Sequence, residues 1–256
     1  MGPRFEGKTA IITGAADGIG LATAAIMVAE GGTVLGVDIK SDVLRAVLSA
    51  LEGPGRAIAF SADVLDPGET TRVMETIIAA HPRIDILVNC VGGSTIIDNP
   101  SADIESMSLD QWRALLEFNL TGTFLFTQAV VPQMKAQGSG KIVNLSSIAG
   151  RGLSDSSSSA YATAKGGIIA LTRKLSLELG PYGINCNAVA PGRTLSDRIK
   201  SRFNQQPEAE KAAELETVPL RRWAEPDDQA RVICFLASSD ADMVTGVTID
   251  VNGGVR

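Results

Sequence analysis

One alternation constrains this chain more than any other feature. Short runs rich in apolar and β-branched residues recur at 9–13, 33–37, 57–61, 86–90, 141–145, 184–188 and 248–251. Between them lie longer segments of helical period at 18–30, 42–51, 68–80, 108–135, 160–179 and 226–237. Several short runs are apolar on consecutive residues, as strands buried on both faces must be. Strands alternating with helices predict an α/β fold with a parallel, doubly wound sheet of about seven strands and helices on both faces. Right-handed crossovers should join the strands. Asp66-Pro67 and Glu225-Pro226 read as helix starts, and Gly180-Pro181 as a helix stop. No repeat or linker divides the chain, so one domain over 1–256 is expected. The polar, weakly periodic stretch 193–217 is long for a loop and reads as a substrate lid.

Composition narrows the class. The chain has 256 residues, 45% of them hydrophobic, a mean hydropathy of +0.15 and a net charge of -6. That length can bury a large core. The acidic balance and the lack of basic clusters argue against nucleic acid or an anionic membrane as partner. Cys90, Cys186 and Cys234 are scattered through apolar stretches, and His81 stands alone before Pro82. No metal-ligand spacing results. A reduced, cytoplasmic, soluble protein is expected, with no signal peptide and no membrane span.

The first strand runs into TGAADGIG, residues 13–20. Gly14, Gly18 and Gly20 permit a tight turn and close approach of a ligand to the backbone. The helix that follows would aim its N–H groups at a pyrophosphate. Asp17 adds a negative charge inside this turn, and Ile19 lies between its last two glycines. Asp38 ends the second strand, 18 residues beyond Gly20. A carboxylate there can accept hydrogen bonds from ribose hydroxyls and would repel a 2′-phosphate. Ile39 follows where an arginine would suit a phosphate, so NAD is expected over NADP, with Lys40 as the one residue of opposite tendency.

Residues 156–167 read SSSSAYATAKGG. Tyr161 and Lys165 are four apart on a predicted helix and share a face. An ammonium near a phenol favours the phenolate, which makes a proton-transferring tyrosine usable near neutral pH.

Together with NCVGG at 89–93, Asn119 in EFNLTG and Ser146-Ser147 in VNLSS, these stretches resemble the short-chain dehydrogenase/reductase family from Lys8 to Gly254. The resemblance implies a Rossmann-type sheet and an NAD-dependent oxidoreductase interconverting a secondary alcohol or diol and a ketone. It implies Asp63 and Val64 at the adenine, Asn89 opening the family's Asn-Asn-Ala-Gly stretch, and Cys90 departing from its second Asn. Pro191 and Gly192 resemble the turn over the nicotinamide, with Thr194 and Ser196 beside the carboxamide. Asn119, Ser147, Tyr161 and Lys165 match the catalytic set: Asn119 supporting a water relay, Ser147 holding the substrate oxygen, Tyr161 moving the proton, and Lys165 lowering its pKa and binding the nicotinamide ribose. Ser147 lies 14 residues before Tyr161, one more than the family pattern, which leaves Ser146 in view and puts an extra residue in the substrate loop.

The resemblance also permits an NADPH-dependent 3-ketoacyl thioester reductase. The same fold could instead serve a non-enzymatic dinucleotide sensor or scaffold. The substrate pocket is expected from 94–100, 150–159 and 193–217. Arg193, Arg198, Lys200 and Arg202 in the last segment could grip an acidic substrate, although Asp197, Glu208 and Glu210 make a solvated amphipathic helix the plainer reading. A homotetramer is implied by the resemblance.

Overall fold

The computed structural model describes residues 3–154 and 156–255, with main chain only at 197, 198, 201 and 202. Seven strands form one parallel sheet: β1 Thr9–Thr13, β2 Thr33–Asp38, β3 Arg56–Ser61, β4 Ile86–Asn89, β5 Gly140–Leu145, β6 Ile184–Pro191 and β7 Thr248–Val251. Their order is β3-β2-β1-β4-β5-β6-β7. The direction of winding reverses between β1 and β4, the crevice where such sheets bind ligands at their carboxyl ends.

The consecutive apolar residues of the strands divide between two cores. Ile12, Val34, Val88, Val143 and Val189 face α1 (Gly18–Ala29), α2 (Ser41–Ser49) and α9 (Pro226–Ala237). Ile11, Leu35, Leu87 and Ile142 face α3 (Pro67–Ala80), α5 (Gly122–Gln137) and α6 (Ser159–Leu179). Alternate residues of one strand point to opposite faces, so a sheet covered on both sides is apolar at every position.

The helix expected over 108–135 is not continuous. It comprises α4 (Leu109–Leu116), a π turn at Glu117–Thr121, and α5. The Asn119 side chain donates to Leu115 O at 2.9 Å and Thr123 Oγ1 to Asn119 O at 3.1 Å. Side chains competing for the carbonyls four residues back loosen the main-chain ladder there. By length and composition the run Leu109–Gln137, mean hydropathy 1.3, also matches a membrane-crossing helix. Here one side of it is buried through Leu115, Asn119, Phe126, Val130 and Met134, the last three against the sheet. The 193–217 segment is more ordered than a loop: it holds α7 (Asp197–Asn204) and α8 (Glu208–Glu216).

Candidate active site

The glycine turn closes over the end of β1. Gly14 has φ +68, a left-handed backbone that favours glycine, and a Cβ on Gly20 would lie 2.2 Å from Gly14 O, where no side chain fits. Thr13 Oγ1 accepts from Cys90 N at 3.1 Å and Val91 N at 3.4 Å, which ties this turn to the segment after β4. Thr13 opens the TGAADGIG stretch, but nothing in the sequence assigned its hydroxyl a role, because a strand-end threonine has no distinctive signal. A side chain on Gly18 would meet Ser196 Cβ at 3.4 Å, so the start of the 193–217 segment lies directly over the turn.

Asp38 is half-buried at the end of β2. Its carboxylate accepts from Ala16 N at 3.2 Å and Lys40 N at 3.0 Å, fixing the acid beside the turn. Ile39 next to it is 62% exposed. Asp63 accepts from Leu65 N at 2.9 Å, and buried Val64 packs against Gly122. Ile19 is half-buried in the first turn of α1.

Two of the expected cofactor residues bond within the protein. Asp17 is exposed and spends its carboxylate on Gly18 N at 2.6 Å, capping α1. Asn89 is turned into the α5–α6 side of the sheet, where its amide donates to Thr127 Oγ1 and Asn144 Oδ1 at 3.1 and 2.9 Å. An N-cap and a register-fixing core amide are the physical uses of these two side chains.

The catalytic candidates converge at the carboxyl ends of β4 and β5. Lys165 is 2% exposed on α6, and its ammonium donates to Leu145 O at 2.8 Å. It lies 5.8 Å from the centre of the Tyr161 ring. Burial brings the Lys165 pKa down to about 8, a shift the neighbouring Cys90 thiol partly opposes. Burial also pushes Cys90 up to about 12, which leaves it a neutral thiol. Asn119 commits its whole amide: it accepts from Gly93 N at 2.9 Å and donates to Gly93 O at 3.0 Å and to Leu115 O. The side chain proposed for a water relay is therefore bound to the protein and holds the Gly92–Gly93 backbone in place. A Cβ on Gly92 would sit 2.7 Å from both Asn119 Oδ1 and Lys165 Nζ, so only glycine fits between them.

The two serines have separate roles. Ser146 is 2% exposed and donates to Lys165 O at 2.8 Å. Ser147 is half-buried, and its Oγ accepts from Ala149 N at 3.2 Å at the start of a short 3-10 turn, Ile148–Arg151. Arg151 bonds Asp250 Oδ1 and Thr248 O, anchoring that turn to β7. Ser158 caps α6 through Tyr161 N and donates its own N–H to Pro100 O, joining the two loops beside Tyr161.

Pro191 ends β6 and Gly192 N donates to Val251 O. Thr194 Oγ1 donates to Gly192 O and accepts from buried Gln229 at 3.3 Å. Arg193 is ion-paired with Glu214 and lies 4.9 Å from the centre of the Trp223 ring. Lys200 pairs with Glu225 at 2.9 Å, whereas the side chains of Arg198 and Arg202, like Asp155, lie outside the described residues. No metal-ligating cluster occurs among the described residues. A cleft of about 540 Å³ opens at the opposite, amino-terminal ends of β4, β5 and β6; its cations Arg4, Lys8, Arg83 and Lys141 pair with Glu30, Asp85 and Asp242, and it takes no part in this site.

Residues 14–256 match a family model described as enoyl-(acyl carrier protein) reductase. The chain belongs to the short-chain dehydrogenase/reductase family. It is 37% identical to the 3-oxoacyl-[acyl-carrier-protein] reductase of Thermotoga maritima, covering 98% of this chain and 99% of the relative. It is 38% identical to the 7alpha-hydroxysteroid dehydrogenase of Bacteroides fragilis, covering 98% and 95%. A 3-oxoacyl-[acyl-carrier protein] reductase structure from Brucella melitensis with bound NAD superposes with a TM-score of 0.88 at 34% identity, covering 99% of this chain and 93% of that one. This member of the family is thus an oxidoreductase on the Rossmann-type sheet described above.

Proposed function

We propose that this enzyme uses NAD(H) to interconvert a secondary alcohol or diol and a ketone, with Tyr161 as proton donor and acceptor. The observation that carries the reading is the buried Lys165 ammonium set against the Tyr161 ring and walled by Gly92 and Asn119. The glycine turn, left-handed at Gly14 and with no room for a side chain at Gly20, fits a dinucleotide pyrophosphate at the start of α1. Half-buried Asp38, with hydrophobic Ile39 beside it, favours a ribose hydroxyl over a phosphate. When bound, NAD supplies the hydride chemistry.

The protein's residues supply placement and protons. In the oxidation direction Tyr161 accepts the substrate hydroxyl proton, and in reduction it returns it. Ser147 hydrogen-bonds the substrate oxygen; Ser146, spent on Lys165 O, is not available for that task. The Lys165 ammonium favours the Tyr161 phenolate. Asn119 keeps Gly92 and Gly93 against Lys165. Pro191, Gly192, Thr194 and Ser196 line the nicotinamide side, and Asp63 with Val64 the adenine side. The chain acts as one domain, in the cytoplasm, as a homotetramer; exposed Phe124 on α5 and Leu177 on α6, 45% and 77% exposed, offer apolar surface for subunit contact.

Titration with NADH and NADPH, read by nicotinamide fluorescence, tests the cofactor. Tighter NADH binding supports Asp38 as the ribose acceptor; tighter NADPH binding removes that role. A 3-ketoacyl thioester is the second substrate reading, favoured by the 37% identity to the Thermotoga reductase. Turnover of a ketoacyl thioester far above that of ring ketones would place it first.

A further inference from the structure

The catalytic groups stand on a chain of buried polar side chains that crosses the sheet beneath them. Asn89 and Asn144 are register partners on β4 and β5, 2% and 0% exposed, among apolar neighbours such as Phe126, Val130 and Ile142. Asn89 donates to Thr127 Oγ1 on α5 and to Asn144 Oδ1. Asn144 donates to Thr172 Oγ1 on α6 at 3.0 Å and to Cys186 Sγ at 3.8 Å. Thr127 in turn donates to Thr123 O, and Thr123 to Asn119 O. The donors run outward from Asn89 both ways, to Thr127 and through Asn144 to Thr172, and although Asn89 Oδ1 itself has no partner, rotating either amide would break at least one bond. A buried polar group left unpaired is costly, which makes one register of the helices much better than its neighbours.

The end of β5 grips α6 with three residues in succession. The Asn144 side chain holds Thr172, Leu145 O accepts from Lys165 Nζ, and Ser146 Oγ donates to Lys165 O. Thr172 is seven residues from Lys165, two turns along the same face of the helix. A slip of one residue would rotate that face by about 100° and shift it by about 1.5 Å, enough to take the ammonium off Leu145 O.

We infer that Asn144 is a positioning residue for proton transfer: through Thr172 it sets the register of the helix bearing Tyr161 and Lys165, and through Asn89 and Thr127 that of the helix bearing Asn119. This rests on the proposed roles of Tyr161 and Lys165. The test is the pH profile of kcat/KM for alcohol oxidation in Asn144→Leu, Thr172→Val and Thr172→Ser, with melting temperature recorded for each. A displaced Lys165 favours the phenolate less, so the acid limb should move to higher pH in Asn144→Leu and Thr172→Val, with kcat down roughly tenfold. Thr172→Ser keeps the hydroxyl and should behave as the parent. Thr172→Val keeps the inference testable where Asn144→Leu does not fold. A lowered melting temperature with the limb and kcat unchanged would make the network structural only and overturn the inference. A parent enzyme that turns over no alcohol or ketone would instead overturn the proposed function.

Discussion

The floor of the site and the 193–217 segment above it are built from opposite materials. The floor is buried: Asn89, Asn119, Asn144, Lys165 and Thr172 are at most 2% exposed and bonded inside the protein. The upper segment is held by partly exposed contacts. Arg193 pairs with Glu214 and covers Trp223, Phe203 meets Trp223 edge-on at 6.3 Å, and Lys211 lies 5.3 Å from the centre of the Phe203 ring. Exposed ion pairs are worth about 0–1 kcal/mol, whereas breaking a buried polar bond costs roughly 1–3 kcal/mol or more. The floor can hold reacting groups still while the upper segment opens at small cost.

Changes in the floor should have the largest effects. Tyr161→Phe removes the proton and keeps the ring, and kcat should fall by about 10²–10⁴. Near-parental turnover would remove Tyr161 from the mechanism. Lys165→Met should be nearly as damaging to kcat yet should raise the melting temperature by about 2–6 °C, because it removes a charge that is costly to bury. A lower melting temperature would show that the bond to Leu145 O outweighs that burial.

Gly92→Ala comes next. The added methyl would lie 2.7 Å from Lys165 Nζ and Asn119 Oδ1, so kcat should drop by roughly 10–100-fold in a folded protein. Steady-state kinetics beside circular dichroism would separate this from unfolding.

The pH dependence of stability gives a smaller effect. With its folded pKa brought down to about 8 from 10.5, Lys165 binds fewer protons folded than unfolded between those values. Its contribution to stability therefore rises across that window and is flat below it. Denaturant titrations of the parent and the more stable Lys165→Met should converge there and run parallel below pH 8.

Glu214→Ala should give the smallest change. Freeing Arg193 should alter KM by a few-fold with kcat near parental and the melting temperature within about 2 °C. A collapse in kcat would mean that the upper segment is as tightly coupled as the floor.

How much of this could be read from the chain differs between the two regions in the same way. The β1 strand was legible to its bounds, because a strand covered on both faces must be apolar throughout. The Asn119 break was not, because a helix interrupted by side-chain bonds keeps its helical period on either side. Asn89 was legible as a motif residue and not as a core amide, since the direction of a side chain depends on which strand lies beside it. The 193–217 segment read as an irregular lid because its helices are short and its aromatic contacts, Phe203 with Trp223, join residues 20 apart.

The alternation of strands and helices, the glycine turn, Asp38 and the Tyr161–Lys165 spacing were all determined by the sequence, because each depends on residues close together in the chain. The tertiary structure decided which serine faces away from the core, that Arg193 is already paired, and that Asn144 links α6 through Asn89 to α5. Those outcomes depend on partners 19 to 55 residues away, brought together only when the sheet forms.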